Sequence, residues 1–226
     1  MTGAAPPPVL YRAAGPVTLV GGGPVAAERL ALALALAPEA VAADSGGDVR
    51  LPGGAAFRAV IGDMDSLADP ARLAAAGVPL HRLAEQDSTD LEKCLYSVEA
   101  PLYLGVGFLD GRLDHTLAAL TALTRRPAGR VLLVGAEDVA FLCPPRWEIR
   151  LAAGTRVSLW PLGPVAGRSE GLRWPIDGLA FRPDARTGTS NEATGGPVRL
   201  QVDAPRMIVI LPVAHLGAAV ASLRRA

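Results

Sequence analysis

Short apolar runs alternate with stretches of helical periodicity down the first half of the chain. Residues 17–20 read as a buried strand, and Gly21-Gly22-Gly23-Pro24 as a turn opening a helix that runs to residue 37. Further strand-like runs fall at 40–43, 59–61, 80–83, 102–106 and 131–134, with helical stretches at 70–76, 90–98 and 115–124. This alternation predicts a mostly parallel sheet with helices on both faces. The Pro-rich start is expected to fray.

Beyond Phe141 the pattern changes. Pro144-Pro145 interrupts the chain, and the segments that follow are short, β-rich and separated by Gly and Pro: 147–151, 156–160, 172–174, 198–202 and 207–211. They predict an all-β sandwich, and residues 214–225 a short closing helix. The fold class is therefore α/β followed by a C-terminal all-β sandwich, with an α/β nucleotide-binding domain over 1–142 and the sandwich over 143–226.

Composition narrows the function classes. At 226 residues the chain can bury a real core without outside staples. Half the residues are hydrophobic while aromatics reach only 4%, which describes a compact protein with Ala-rich helices rather than a disordered one. Lys plus Arg, 22, equals Asp plus Glu, 22, so no long-range field favours nucleic acid or an anionic membrane as partner. Two cysteines, Cys94 and Cys143, are too few for a disulfide framework, and no signal peptide is evident, so a reducing cytoplasm is expected and both thiols are expected to be inert. The longest apolar stretch, residues 30–37, falls far short of the roughly 20 residues that a membrane span needs.

Aspartates recur where strands end or helices begin: ADSGGD at 43–48, GDMDS at 62–66, QDSTD at 86–90, and DGRLDH at 110–115. The carboxyl ends of parallel strands share one edge of the sheet, so these acids can converge on one crevice. A carboxylate-rich pocket suits a hard cation such as Mg2+, which brings substrate phosphates with it. In an extended backbone Asp63 and Asp65 point to one side, with Cα atoms roughly 7 Å apart, and can grip an ion. Equally, Asp63 can form a turn and Asp65 or Ser66 cap a helix.

Other positions carry the same double reading. Thr89 with Glu92 makes a capping box, which accounts for those two residues but does not require Asp87 or Asp90. Lys93, one turn on, meets a phosphate or is solvated. Asp114 fits an N-cap, and Arg112 between acids suits bidentate phosphate binding or the orientation of a neighbouring acid. His115 is a candidate base or a structural histidine. Gly21 to Gly23 gives only a G-x-G-x-x-A dinucleotide pattern, and no GxxxxGK[ST] P-loop is present. Trp174 is either a sandwich-core aromatic or a stacking surface, 189–192 reads as a polar loop, and Trp147 and Trp160 read as core.

In order and spacing, ADSGGD at 43–48, IGDMDSL at 61–67, DSTDLEKCL at 87–95, DGRLDH at 110–115, GLRWPI at 171–176 and TSNE at 189–192 resemble the thiamine pyrophosphokinase family. The resemblance runs from about residue 17 to 211. It implies ATP as co-substrate, Mg2+ as cofactor, and attack of the thiamine hydroxyl at the β-phosphorus to give thiamine diphosphate and AMP. By that likeness Asp44, Asp63, Asp65 and Asp90 are the metal and phosphate residues, Arg112 and Asp114 complete the nucleotide side, and Gln86 lies near thiamine with Asp87, Thr89 and Lys93 in the substrate segment. The family works as a homodimer, and Trp174, Ser190 and Asn191 are the expected sandwich residues enclosing thiamine at the subunit interface. Asp87, Asp90 or water on the metal is the base. Ser45 and Asp48 depart from the family's acid-Gly-Gly-small-Asn pattern, which bears on adenosine contacts, and Met64 stands where an aromatic is usual. A nicotinamide-dependent oxidoreductase built on Gly21 to Gly23 leaves the later acids unexplained, and a thiamine or nucleotide sensor does not need them intact.

Overall fold

The computed structural model describes residues 9–126 and 130–225, so the Pro-rich start lies outside the described residues. The chain divides into two compact units, Met1–Ala119 and Leu120–Ala226.

In the first unit, β1 (Tyr11–Arg12) pairs with β6 (Val98–Glu99) in a small parallel ribbon. The main sheet holds β2 (Val17–Val20), β3 (Glu39–Ala43), β4 (Ala59–Gly62), β5 (Leu80–Arg82) and β7 (Tyr103–Val106), in the spatial order β7-β2-β3-β4-β5. Every pairing in this set is parallel. All residues of β2, β4 and β7 are buried, as strands covered on both faces must be. The cover comes from α1 (Ala27–Leu36), which packs on β7; α2 (Pro70–Ala75), on β5; and α3 (Asp90–Ser97), on β3 and β4.

Strand order reverses at β2: β3, β4 and β5 extend from one side of it, and β7, which follows them in the chain, lies on the other. Such a switch point opens a crevice beyond the carboxyl ends of the strands. The turns that leave β2, β3 and β7 meet there. Gly46 makes this approach possible: a Cβ on it would stand 1.9 Å from the Val20 carbonyl oxygen. Helix α4 (Leu113–Arg125) begins just after the turn that leaves β7.

The second unit is built from antiparallel sheets. One has β8 (Val131–Val134), β9 (Asp138–Leu142), β16 (Met207–Pro212), β11 (Arg156–Pro161) and β14 (Gly188–Glu192) in that order. The other runs β10 (Arg146–Leu151), β15 (Gly196–Val202), β12 (Val165–Glu170) and β13 (Ala180–Phe181). Phe141 of β9 meets Trp147 of β10 with ring centroids 5.3 Å apart, so the two sheets share a core. Helix α5 (Leu216–Arg225) closes the unit, and Ser222 on it accepts the Trp147 indole N–H at 2.8 Å.

Residues 131–134 form the expected strand, and β9, which the sequence reading did not mark, returns beside it antiparallel, Leu132 opposite Phe141. Their connection is a tight turn, and parallel pairing needs a crossover of a dozen or more residues. Residues 172–174 form no strand; Leu172 makes a single bridge to Ala193, and the strand lies upstream at Val165–Glu170. Trp147 is core as expected, while Trp160 is half-buried.

Candidate active site

The crevice at the switch point of the first unit is a cavity of about 600 Å³. Its walls include Gly21 to Pro24 from the turn after β2, Asp44 and Ser45 after β3, Asp63 after β4, and Gly107 to Leu109 after β7. Gln86, Thr89, Asp90 and Lys93 enter from the start of α3, and Arg112 and His115 from the start of α4.

Local geometry brings the acids together. Asp44 opens a 3-10 turn, Asp44–Asp48, and is held at a positive φ of 45° with 3% of its surface exposed. Asp63 and Asp65 are not on an extended strand. Met64 between them takes a φ of 66°, and the Asp65 N–H donates to Asp63 Oδ1 at 3.2 Å, closing a tight turn. The extended spacing is thus corrected to a left-handed bend. As a result Asp44, Asp63 and Asp65 each bring a carboxylate oxygen within 4.8 Å of the others. Among the described residues the buried Asp44 Oδ1 has no hydrogen-bond partner, a costly state for a carboxylate that a cation relieves.

Neighbours tune these charges. Burial raises the Asp44 pKa, with Asp90, Asp63 and Asp65 adding repulsion. Asp63 is lowered to about 2, first because Gln86 Nε2 donates to its Oδ2 at 3.0 Å and next because of the Asp65 N–H. Asp90 is raised by burial despite the opposing Lys93 charge. Lys93 is neither solvated nor free: its side chain is 2% exposed, with Nζ 3.7 Å from Asp63 and 3.6 Å from Asp90.

The α3 entrance is set by the expected capping box, Thr89 accepting the Glu92 N–H while Glu92 accepts that of Thr89. Glu85 holds the preceding loop, accepting from Tyr96 Oη at 2.6 Å and from the N–H groups of Asp87 and Ser88. Asp87 itself is outside the cavity wall. Arg112 makes a two-pronged pair with Asp114, Nη2 to Oδ2 at 2.7 Å, and that contact lowers the Asp114 pKa to about 2. Arg112 lines the cavity and Asp114 does not.

Asp48 accepts the backbone N–H groups of Ala68 and Asp69, so its role here is to tie the 3-10 turn to the approach of α2. Both cysteines are buried and unpaired with each other, and burial pushes the Cys143 thiol up to about 12.

Trp174, Ser190 and Asn191 belong to the second unit. The segment 189–192, expected as a loop, lies in β14. Buried Asn191 clamps the Trp174 backbone, accepting its N–H at 3.2 Å and donating to its carbonyl at 2.7 Å. Trp174 is not a core residue: it is 51% exposed, and the Arg173 guanidinium lies 4.7 Å over its ring. Ser190 sits at a φ of 60°, its N–H donating to Ser158 Oγ.

Sequence reasoning gave Phe108 no role at this site, read Gly21 to Gly23 only as an incomplete dinucleotide pattern, and took Ser45 only as a departure that bears on adenosine contacts. The signal was the triple glycine. A Cβ on Gly22 would stand 2.0 Å from Ser45 Oγ, so close approach of turns explains the glycines without a dinucleotide.

Comparison with known proteins points the same way. The family model described as "Thiamin pyrophosphokinase, catalytic domain" matches residues 32–133. Thiamine pyrophosphokinase 1 of Oryza sativa subsp. japonica is 32% identical over 161 residues, 63% of this chain and 61% of that protein. The match thus spans under two thirds of the curated relative. Thiamin pyrophosphokinase from Candida albicans superposes with a TM-score of 0.73 at 14% identity, covering 91% of this chain and 94% of that one. The yeast thiamin pyrophosphokinase structure gives 0.75 at 15% identity, covering 88% and 86%. At these identities the structural likeness is one of fold.

Proposed function

We propose that the chain is an ATP-dependent diphosphotransferase that converts thiamine to thiamine diphosphate and releases AMP, a reading supported by the match of residues 32–133 to the thiamin pyrophosphokinase catalytic-domain model. The observation that carries this reading is the three-carboxylate cluster, whose Asp44 and Asp63 line the switch-point cavity and whose buried Asp44 Oδ1 has no hydrogen-bond partner among the described residues.

Asp44, Asp63 and Asp65 would hold Mg2+, which when bound offsets charge on the phosphoryl oxygens. The chain's own residues do the rest. Lys93 balances Asp63 and Asp90, so that the acids can stand close without a cation at every moment. Gln86 fixes the Asp63 carboxylate from the thiamine side. Arg112 exchanges Asp114 for a phosphate, a swap that its forked geometry permits.

In the transfer, the thiamine hydroxyl oxygen bonds to the β-phosphorus as the bond from that phosphorus to the α,β-bridging oxygen breaks and AMP leaves. Asp90 takes the hydroxyl proton. Of the two candidate acids it lines the cavity while Asp87 does not, and its raised pKa makes it the better acceptor. In-line positioning and charge neutralisation are what phosphoryl chemistry chiefly requires.

The proposal extends to a functional division at 142/143 and to a cytoplasmic homodimer whose sandwich residues Trp174, Ser190 and Asn191 help enclose thiamine at the subunit interface. In support, the Trp174 indole is exposed and its backbone is fixed by Asn191. Among the described residues no helix is long and apolar enough to cross a membrane.

Incubation of the purified protein with thiamine, ATP and Mg2+ tests the reading. Equimolar AMP and thiamine diphosphate are expected. ADP with thiamine monophosphate would replace it by a monophosphate transfer, and binding without AMP by a sensor.

A further inference from the structure

A second cavity, of about 950 Å³, lies on the other compact unit, wholly within residues of β10, β12, β15, the 177 turn and α5. Strand alternation sorts its lining. On β10 the residues Arg146, Glu148 and Arg150 are exposed while those between them are buried. The exposed positions of β15 are Arg199 and Gln201, and Arg168 and Glu170 are exposed on β12. The register aligns them in rows across the sheet: Arg146, Gln201, Arg168 in one, and Glu148, Arg199, Glu170 in the next.

The two rows differ in how their charges are met. In the second, Arg199 donates to Glu148 at 2.8 Å and to Glu170 at 2.7 Å, so both glutamates are engaged by one guanidinium. In the first row Gln201, not a carboxylate, stands opposite each arginine, while Asp177, which also lines the cavity, accepts the Ser169 N–H at 3.2 Å. Arg150 and, from the last turn of α5, Arg225 line the same cavity. The lining carries five arginines against Glu148, Glu170 and Asp177, an excess of positive charge that an anion offsets, and forked guanidinium donors suit phosphoryl oxygens.

We propose that the outer face of β10, β15 and β12 binds a polyphosphate anion, gripped by Arg146 and Arg168 with the Gln201 amide between them. Neighbouring strands lie about 4.8 Å apart, so the two arginines flank Gln201 within reach of one phosphoryl group. Arg150 and Arg225 line the same cavity and leave it with a net excess of guanidinium over the carboxylates Glu148, Glu170 and Asp177, which favours an anion with more than one phosphoryl group. The only aromatic in the lining, Trp147, is buried, so a nucleobase has no exposed ring to stack on. The recognised part is therefore the phosphate chain. The site is separate from the carboxylate cavity and its existence does not depend on the proposed activity.

Calorimetric titration of the full chain with inorganic triphosphate, in low salt and with divalent metal removed, tests the assignment. One saturable site is expected, with sulfate at least tenfold weaker. The Arg146→Ala/Arg168→Ala double variant should bind at least tenfold more weakly, with an unchanged melting temperature. Glu148→Gln/Glu170→Gln, which releases Arg199, should bind more tightly, and Asp63→Asn should leave the affinity unchanged. Absence of binding in the unaltered protein, equal affinity in the arginine double variant, or loss of binding in Asp63→Asn would each overturn the site.

Discussion

The Lys93 ammonium lies 3.7 Å from Asp63 Oδ2, buried between the strand edge and the start of α3. The same nitrogen is 3.6 Å from Asp90 Oδ1, so one cation is shared by two acids that arrive from different parts of the chain. Removing it leaves both carboxylates uncompensated. Lys93→Met is expected to lower stability by roughly 1–3 kcal/mol, measured by urea unfolding, and to depress turnover. Unchanged stability would show that the acids do not need the lysine.

Asp44 carries a different consequence. Its folded pKa is raised above the unfolded one, so its charge opposes folding at neutral pH, and this penalty disappears as the pH falls below the ordinary carboxylate range. Asp44→Asn should therefore raise the melting temperature of the metal-free protein at pH 7, by about 2–4 °C for each kcal/mol relieved. The difference should vanish in acid. A variant that melts lower at pH 7 would show that the buried carboxylate is not under repulsion.

Met64 bends the chain between two acids at a φ of 66°. A non-glycine residue there costs roughly 1–2 kcal/mol, so Met64→Gly should keep or raise stability while Met64→Ile lowers it. Activity should follow only in the isoleucine variant, because a straightened turn separates Asp63 from Asp65. Equal stability of the two variants would contradict the bend.

Trp174→Ala removes an exposed ring whose backbone is held independently by Asn191, so the fold should be unaffected. The Michaelis constant for thiamine should rise at least tenfold, with that for ATP changing little. An unaltered thiamine constant would take Trp174 out of the binding surface.

Most of the architecture could be read from the chain because the parallel strands are nearly continuous apolar runs, as at 17–20 and 59–61, and the acids follow them directly. The α3 cap was legible too, since Thr89 and Glu92 stand at the required spacing. Other features depend on contacts that periodicity does not encode. Nothing at Met64 announces a positive φ, and nothing at Lys93 announces burial between Asp63 and Asp90. Short strands such as Ala180–Phe181 and the polar Gly188–Glu192 lack the alternating pattern that would mark them. The placement of Trp174 on the surface depends on Asn191, a residue remote in sequence that fixes its backbone.

Titration with Mn2+, followed by electron paramagnetic resonance in the presence of ATP, reads the carboxylate cluster most directly. The account predicts a saturable site in the unaltered protein that weakens at least tenfold in Asp63→Asn and Asp65→Asn, with turnover falling at least a hundredfold in both. Undiminished Mn2+ affinity and full turnover in the two variants would contradict it.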